Sequence, residues 1–135
     1  MADLFLGVDL LRVQEVNQHL DLTYVPLAPS MVRGLINLRG QIVTVLDLRD
    51  RLGLPPRAEG MKPMSVVLSR ELGVVSFLVD GVGDVIEADP DDFESPPPTL
   101  DESIRGFVRA VCKQPDTLLL ILDPDQVIGG NADAA

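Results

Sequence analysis

The sequence has little of the chemistry on which enzymes and metal sites depend. It holds one cysteine, one histidine and no tryptophan, and aromatic residues make up 4% of its 135 residues. A single cysteine cannot form an internal disulfide, which favours a reducing compartment such as the cytoplasm. Neither a phosphate-cradling glycine loop nor a metal-ligand spacing appears along the chain. These absences argue against an enzyme and predict neither a cofactor nor a metal.

Basic residues are also few, and long apolar runs are missing. Lys and Arg number 11 against 21 Asp and Glu, which gives a net charge of −10. Such a chain is repelled by phosphate backbones and by anionic lipid, so we expect no nucleic-acid partner. No stretch approaches the roughly 18 apolar residues of a membrane span, and no secretory leader is visible. The sequence therefore predicts a cytoplasmic protein without direct membrane insertion.

What the sequence does contain is an internal repeat. Three landmarks recur in the same order, at offsets of 71, 72 and 76 residues. A fixed period of this kind indicates two copies of one small unit. The pairs are Val8-Asp9 with Val79-Asp80, Val32-Arg33-Gly34 with Ile104-Arg105-Gly106, and Val45-Leu46-Asp47 with Ile121-Leu122-Asp123. We expect one domain over residues 1–135, with repeat halves 1–60 and 61–128 and a disordered tail 129–135.

The repeat predicts that the first unit lacks a strand. Met64–Arg70 has the pattern of a strand that opens the second copy, and its counterpart would fall before Met1. An unpaired sheet edge would remain, and such edges readily pair with another chain. We therefore expect a mainly β protein in which the first barrel lacks its N-terminal strand.

Short strands and hairpins account for most of the remaining pattern. Residues 34–38 and 41–46 flank Arg39-Gly40, which is typical of a two-residue hairpin. Residues 106–111 and 117–122 predict the equivalent hairpin with a longer tip. The segment Leu4–Leu10 predicts a further strand, and Arg12–Val16 predicts a strand or a turn of helix.

Short helices are predicted by their end residues. Asp47 and Asp123 each precede a brief helical stretch that a glycine closes, at Gly53 and Gly129. An aspartate at the start and a glycine after the end are typical of helix termini. Capping explains both carboxylates better than a catalytic pair does. Pro29–Arg33 predicts one more helical turn, with Ser30 as its cap.

The two reactive side chains do not suggest a nucleophilic site. His19 lies in a polar stretch that is typical of a surface histidine, and Cys112 continues the alternation of a strand. Nothing beside either residue indicates an activated base or thiolate.

One long segment carries a family resemblance. The stretch 32–49, VRGLINLRGQIVTVLDLR, closely resembles the signature of the CheW-like family, and residues 13–16, 77–82 and 120–123 fit it as well. The resemblance implies two intertwined five-stranded SH3-like barrels around a shared apolar core. It also implies a non-enzymatic coupling adaptor of chemosensory arrays. Such an adaptor links the cytoplasmic tip of methyl-accepting chemotaxis receptors to the regulatory domain of the histidine kinase CheA.

The resemblance also implies where partners bind. The receptor-binding positions are predicted to be Val13, Glu15, Gly34, Arg39, Gly40, Val82 and Val85, and the kinase-binding positions Val75 and Ser76. Core packing is the alternative reading for the valines, and backbone geometry for the glycines. Two other functions stay open: a regulator or decoy that binds the kinase without a receptor, and an SH3-like enzyme or small-ligand protein.

Overall fold

The structure is a computed structural model that describes residues 5–18, 21–70, 73–83, 85–115 and 117–133. Short strands make up most of its regular secondary structure, and two 3₁₀ turns lie at Leu10–Arg12 and Pro90–Asp92. The strands are β1 (Phe5–Gly7), β2 (Val13–Asn17), β3 (Val32–Leu38), β4 (Gln41–Asp47), β5 (Met64–Arg70), β6 (Gly73–Val79), β7 (Phe93–Glu94), β8 (Val108–Lys113) and β9 (Leu118–Leu122). The helices are α1 (Leu48–Arg51), α2 (Glu102–Arg105) and α3 (Pro124–Asp133).

The strands form two sheets, and each sheet takes strands from both repeats. Sheet I has the order β2-β5-β6-β4-β3, and sheet II has the order β1-β9-β8-β7. The second repeat thus lends β5 and β6 to sheet I, while the first repeat lends β1 to sheet II. This reciprocal exchange is the intertwining that the family resemblance implies. Residue 60 therefore separates the repeats but does not separate the sheets.

The two sheets differ in what flanks their parallel strand pair. In sheet I, β6 lies between β4, with which it is parallel, and β5, with which it is antiparallel. In sheet II, β1 is parallel to β9 in the equivalent way, and β9 is its one neighbour among the described residues. Among the described residues, no strand occupies the side of β1 that corresponds to the β5 side of β6.

The first predicted hairpin is present with its two-residue turn. Strands β3 and β4 pair in an antiparallel register that ends at Leu38 and Gln41. Arg39 and Gly40 have φ values of +53° and +85°, the left-handed pair that a type I′ turn requires. The side chain of Asn37 accepts a hydrogen bond from the Gly40 amide at 2.9 Å and closes the turn. The second hairpin, β8 with β9, is present as well.

Both aspartate caps are confirmed by their hydrogen bonds. Asp47 accepts from the Arg49 amide at 3.1 Å, and Asp123 accepts from the Asp125 amide at 3.1 Å. The helix end predicted at Gly129 is wrong, because α3 continues to Asp133. Residues 134 and 135 lie outside the described part of the chain.

Two other local predictions need correction. The helical turn predicted over Pro29–Arg33 is wrong. A single backbone bond from Val32 N to Pro29 O turns the chain there, and β3 begins at once. The first strand also ends earlier than predicted, at Gly7, and the chain then turns through Leu10–Arg12. Leu4, the predicted first residue of the strand, lies outside the described residues.

One apolar core joins the two sheets. Its buried members come from β3 to β6 of sheet I, from α1 and from α2, β8, β9 and α3 on the other side. They include Leu46, Phe77, Val111, Leu122 and Val127, all at most 3% exposed. At about 25 cal/mol per Å² of apolar surface, such shared burial makes each sheet depend on the other.

Candidate functional site

The clearest polar feature on the surface is the ion pair between Glu15 and Arg39. Glu15 is in β2 and Arg39 is at the tip of the β3–β4 hairpin, so the pair connects strands from opposite edges of sheet I. Arg39 Nη2 donates to Glu15 Oε2 at 2.8 Å. Arg39 is exposed while Glu15 is largely covered, and Glu15 Oε1 is buried without a hydrogen-bond partner among the described residues. Arg39 is thus the main donor to this carboxylate.

The backbone at Arg39 makes its identity informative. A left-handed φ costs a residue other than glycine roughly 1–3 kcal/mol, and Asn or Asp tolerates it best. The turn itself would therefore be better served by another side chain. At this exposed tip the guanidinium pairs with Glu15, and most of the Arg39 side chain stays accessible to solvent.

Gly34, also predicted as a binding residue, has a packing role. It is buried in β3 with a φ of +154°, and an added Cβ would lie 2.6 Å from the carbonyl oxygen of Thr23. Thr23 and Leu35 exchange backbone hydrogen bonds at 2.8 and 2.9 Å across this point. The absent side chain lets the β2–β3 connection lie against β3. Val13, another predicted position, is half-buried and packs against the shared core.

Val82 and Val85 are exposed. They lie in the segment after β6, and 49% and 68% of their surfaces are accessible, with Ile86 beside them at 48%. This rules out the alternative in which these valines are ordinary core residues. These three exposed aliphatic side chains fall within five positions of the chain, and we call them the apolar patch.

The structure separates the predicted receptor residues into two regions. Strands β4 and β6 run parallel, so the hairpin tip before β4 and the segment after β6 lie at opposite ends of sheet I. A strand of β4's length spans roughly 20 Å. Glu15, Arg39 and Gly40 therefore form one region, and Val82, Val85 and Ile86 form a second.

The two predicted kinase-binding residues are buried in the free protein. Val75 and Ser76 lie in β6, between β5 and β4, and are 3% and 0% exposed. The Ser76 hydroxyl is hydrogen-bonded to the hydroxyl of Ser65 on β5. Residues so covered by neighbouring strands present neither an exposed surface nor a free β edge.

A cluster of buried charges was missed by sequence reasoning. It consists of Asp47, Arg49, Arg57 and Asp80, and we call it the arginine–aspartate cluster. Arg49 donates to both carboxylate oxygens of Asp80, at 2.8 and 2.6 Å. Arg57 donates through Nη1 to both oxygens of Asp47, each at 3.0 Å. Its one visible signal in the sequence is that Asp47 stands at the end of one strand, β4, and Asp80 directly follows another, β6.

The charges of this cluster stabilise one another. The hydrogen bond from Arg49 holds the pKa of Asp80 below its usual range, and the same bond raises the pKa of Arg49. Arg57 Nε lies 3.0 Å from Asp80 Oδ1, an ion-pair contact without hydrogen-bond geometry. Arg57 therefore bridges the two aspartates of the cluster.

The remaining reactive groups form no site in the part of the chain that is described. Cys112 is buried, and Gln114 Nε2 lies 3.4 Å from its sulfur. His19 lies outside the described residues. No set of described His, Cys, Asp or Glu residues is arranged to hold a metal ion. Within the same residues, no helix has the length and apolar character that crossing a membrane requires.

Fold and surface together define a small, intertwined two-sheet protein whose distinctive exposed features are the two regions described above. The sequence model of the CheW-like domain matches residues 1–131. The chain therefore belongs to the CheW-like family.

Individual relatives agree with this assignment. The chemotaxis protein CheW of Thermotoga maritima is 30% identical over 123 residues, which cover 91% of this chain and 80% of the relative. The chemotaxis protein CheW of Rhizobium meliloti is 28% identical over 120 residues, covering 89% and 77%. The crystal structure of the scaffolding protein TtCheW from Thermoanaerobacter tengcongensis superposes with a TM-score of 0.86 at 30% identity. That superposition covers 98% of this chain and 90% of the other.

Proposed function

We propose that this CheW-like chemotaxis adaptor couples the cytoplasmic tip of a methyl-accepting chemotaxis receptor to the regulatory domain of the kinase CheA. Family membership supports the chemotaxis role. The observation that carries the receptor half is the Glu15–Arg39 pair, a charged contact on a turn that would be more stable with another residue. The protein acts by binding and catalyses no reaction.

The receptor side of the proposal uses both contact regions. A receptor tip is helical, and a helix spans the roughly 20 Å between them in about 13 residues. Arg39 would pair with acidic or carbonyl groups of the helices, and the apolar patch would cover aliphatic side chains. Charge at one end and apolar contact at the other would fix the direction of the bound helix.

For the kinase side we propose the partner alone and assign no contact residues, because Val75 and Ser76 are buried. An adaptor changes kinase output only if it binds the partner's signalling states unequally. Binding both partners at once would place the protein in the cytoplasm at receptor arrays. This localisation is part of the proposal, and the same binding experiments test it.

Separate binding assays test the two halves. Titration calorimetry with a soluble receptor hairpin and with the isolated CheA regulatory domain should detect both interactions. Binding of the kinase domain alone would contradict the coupling role and favour the kinase-only regulator. Binding of neither would overturn the proposed function.

A further inference from the structure

We infer that Arg57 is a positioning residue that holds Val82, Val85 and Ile86, the apolar patch, in the arrangement that binds the receptor. This inference rests on the proposed function. Arg57 lies in the connection between α1 and β5, outside both contact regions. Its guanidinium reaches the ends of two strands: Nη1 binds Asp47 at the end of β4, and Nη2 donates to the Leu78 carbonyl of β6 at 3.0 Å.

Asp80 is the anchor through which Arg57 acts. It directly follows β6 and is held by Arg49 through two hydrogen bonds and by Arg57 through the ion pair at 3.0 Å. The next residue is Gly81, and Val82 of the apolar patch follows. Residues 81–83 and 85–89 contain no helix or strand. The cluster is therefore a fixed point at the start of a segment without regular structure.

Arg49 also forms a hydrogen bond with the connection between α1 and β5. Its Nη1 donates to the Pro55 carbonyl at 2.7 Å, two residues before Arg57. The α1–β5 connection is thus bonded at Pro55 and at Arg57 to groups that also hold Asp80. Because Arg49 and Arg57 share Asp80, loss of Arg57 leaves that carboxylate with Arg49 as its remaining guanidinium partner.

The other repeat provides an internal comparison. Asp9 is the counterpart of Asp80, and it caps the 3₁₀ turn that begins at the next residue, accepting from the Leu11 amide at 3.0 Å. After Asp80 the equivalent turn begins only at Pro90. The counterpart of Arg49 is Asp125, so the second repeat has no arginine at this position. The cluster thus occurs where a long exposed segment follows the strand.

Replacement of Arg57 by methionine tests the inference, because R57M keeps the apolar stem and removes the charge. We expect faster hydrogen exchange at the amides of 81–83 and 85–86. We also expect the receptor hairpin to bind about fivefold more weakly. This is the loss of affinity that follows if the arrangement able to bind the receptor is populated about one-fifth of the time. Affinity for the kinase regulatory domain should not change, whereas a merely structural loss would lower both affinities.

Arg33→Met is the matched control. Arg33 also bonds Asp47, at 3.2 Å, but its side chain is more exposed and the structure gives it no bond to Asp80. It should leave exchange and receptor affinity unchanged. If R57M fails to fold, R57K serves, because a lysine ammonium cannot bridge two carboxylates as the guanidinium does.

The outcomes separate this inference from the proposed function. Unchanged exchange in 81–86, or faster exchange with unchanged receptor affinity, would overturn the role of Arg57 while leaving the coupling role intact. Failure of the wild-type protein to bind the hairpin would overturn the proposed function and, with it, the receptor role assigned to Arg57. Equal losses in R57M and R33M would also overturn the inference.

Discussion

The predicted receptor-binding residues differ in how exposed they are, and therefore in whether a partner could contact them directly. Arg39 occupies a left-handed turn position at an energetic cost and pairs with Glu15 across sheet I. Gly34 is buried and allows a backbone carbonyl to approach, so its role is local geometry. The resemblance placed both residues in the receptor site, and the structure distinguishes them by exposure.

Arg39→Glu should weaken receptor binding by at least about tenfold, because an exposed guanidinium anchor is lost and a second carboxylate faces Glu15. Calorimetry with the receptor hairpin measures the effect. Arg109→Glu makes the same charge change at an exposed position on β8 and should leave the affinity unchanged. Equal affinity for wild type and R39E would remove Arg39 from the site.

Gly34→Ala should lower the free energy of unfolding by roughly 1–3 kcal/mol, because the new methyl overlaps the Thr23 carbonyl and the β2–β3 connection must shift. Urea denaturation followed by circular dichroism measures the change. Gly40→Ala is the control that separates steric overlap from backbone strain. Nothing lies within 4 Å of a Cβ at Gly40, so only its φ of +85° disfavours the substitution. A G34A protein as stable as wild type would show that the close approach carries no cost.

At the scale of elements, strand patterns were readable from the sequence and their partners were not. The β3–β4 hairpin and the strand Met64–Arg70 follow from alternation and from the Arg39-Gly40 turn. The Arg57 bridge does not, because it joins an irregular connection to two strand ends far apart in the chain. The depth of Val75 and Ser76 was also hidden, since it depends on which strands flank β6.

Val82→Asp should weaken receptor binding by about tenfold or more, because a carboxylate loses its hydration when the apolar patch is covered. The fold should be unaffected, since Val82 is already exposed in the free protein. Leu11→Asp is the control, as Leu11 is 90% exposed after the equivalent strand of the other repeat. A Val82 variant that unfolds, seen by circular dichroism, would contradict the exposed placement of the patch.

At the scale of the whole molecule, the shared core makes two sheets into one folding unit. The internal repeat predicted two similar units, and the exchange of β1, β5 and β6 between sheets explains why neither half holds its own core. Further contacts cross between the repeats: the Arg51 guanidinium lies 4.8 Å from the centre of the Phe107 ring, and its Nε donates to the Val127 carbonyl at 2.5 Å.

Phe77→Ala should lower the free energy of unfolding by about 3–5 kcal/mol, as expected for removing a fully buried aromatic ring. Because the core is common to both sheets, hydrogen exchange should become faster in β8 and β9 as well as in β4 and β6. Phe5→Ala, at an exposed edge position, should have a small effect. Faster exchange confined to sheet I would contradict the single folding unit.

The most direct test of the coupling role is whether one molecule of this protein binds both partners at once. Analytical ultracentrifugation of the protein with the receptor hairpin and the CheA regulatory domain should show a ternary species containing all three. Arg39→Glu should remove the hairpin from that species and leave the binary complex with the kinase domain. Mutually exclusive binding, in which the hairpin displaces the kinase domain, would contradict the account.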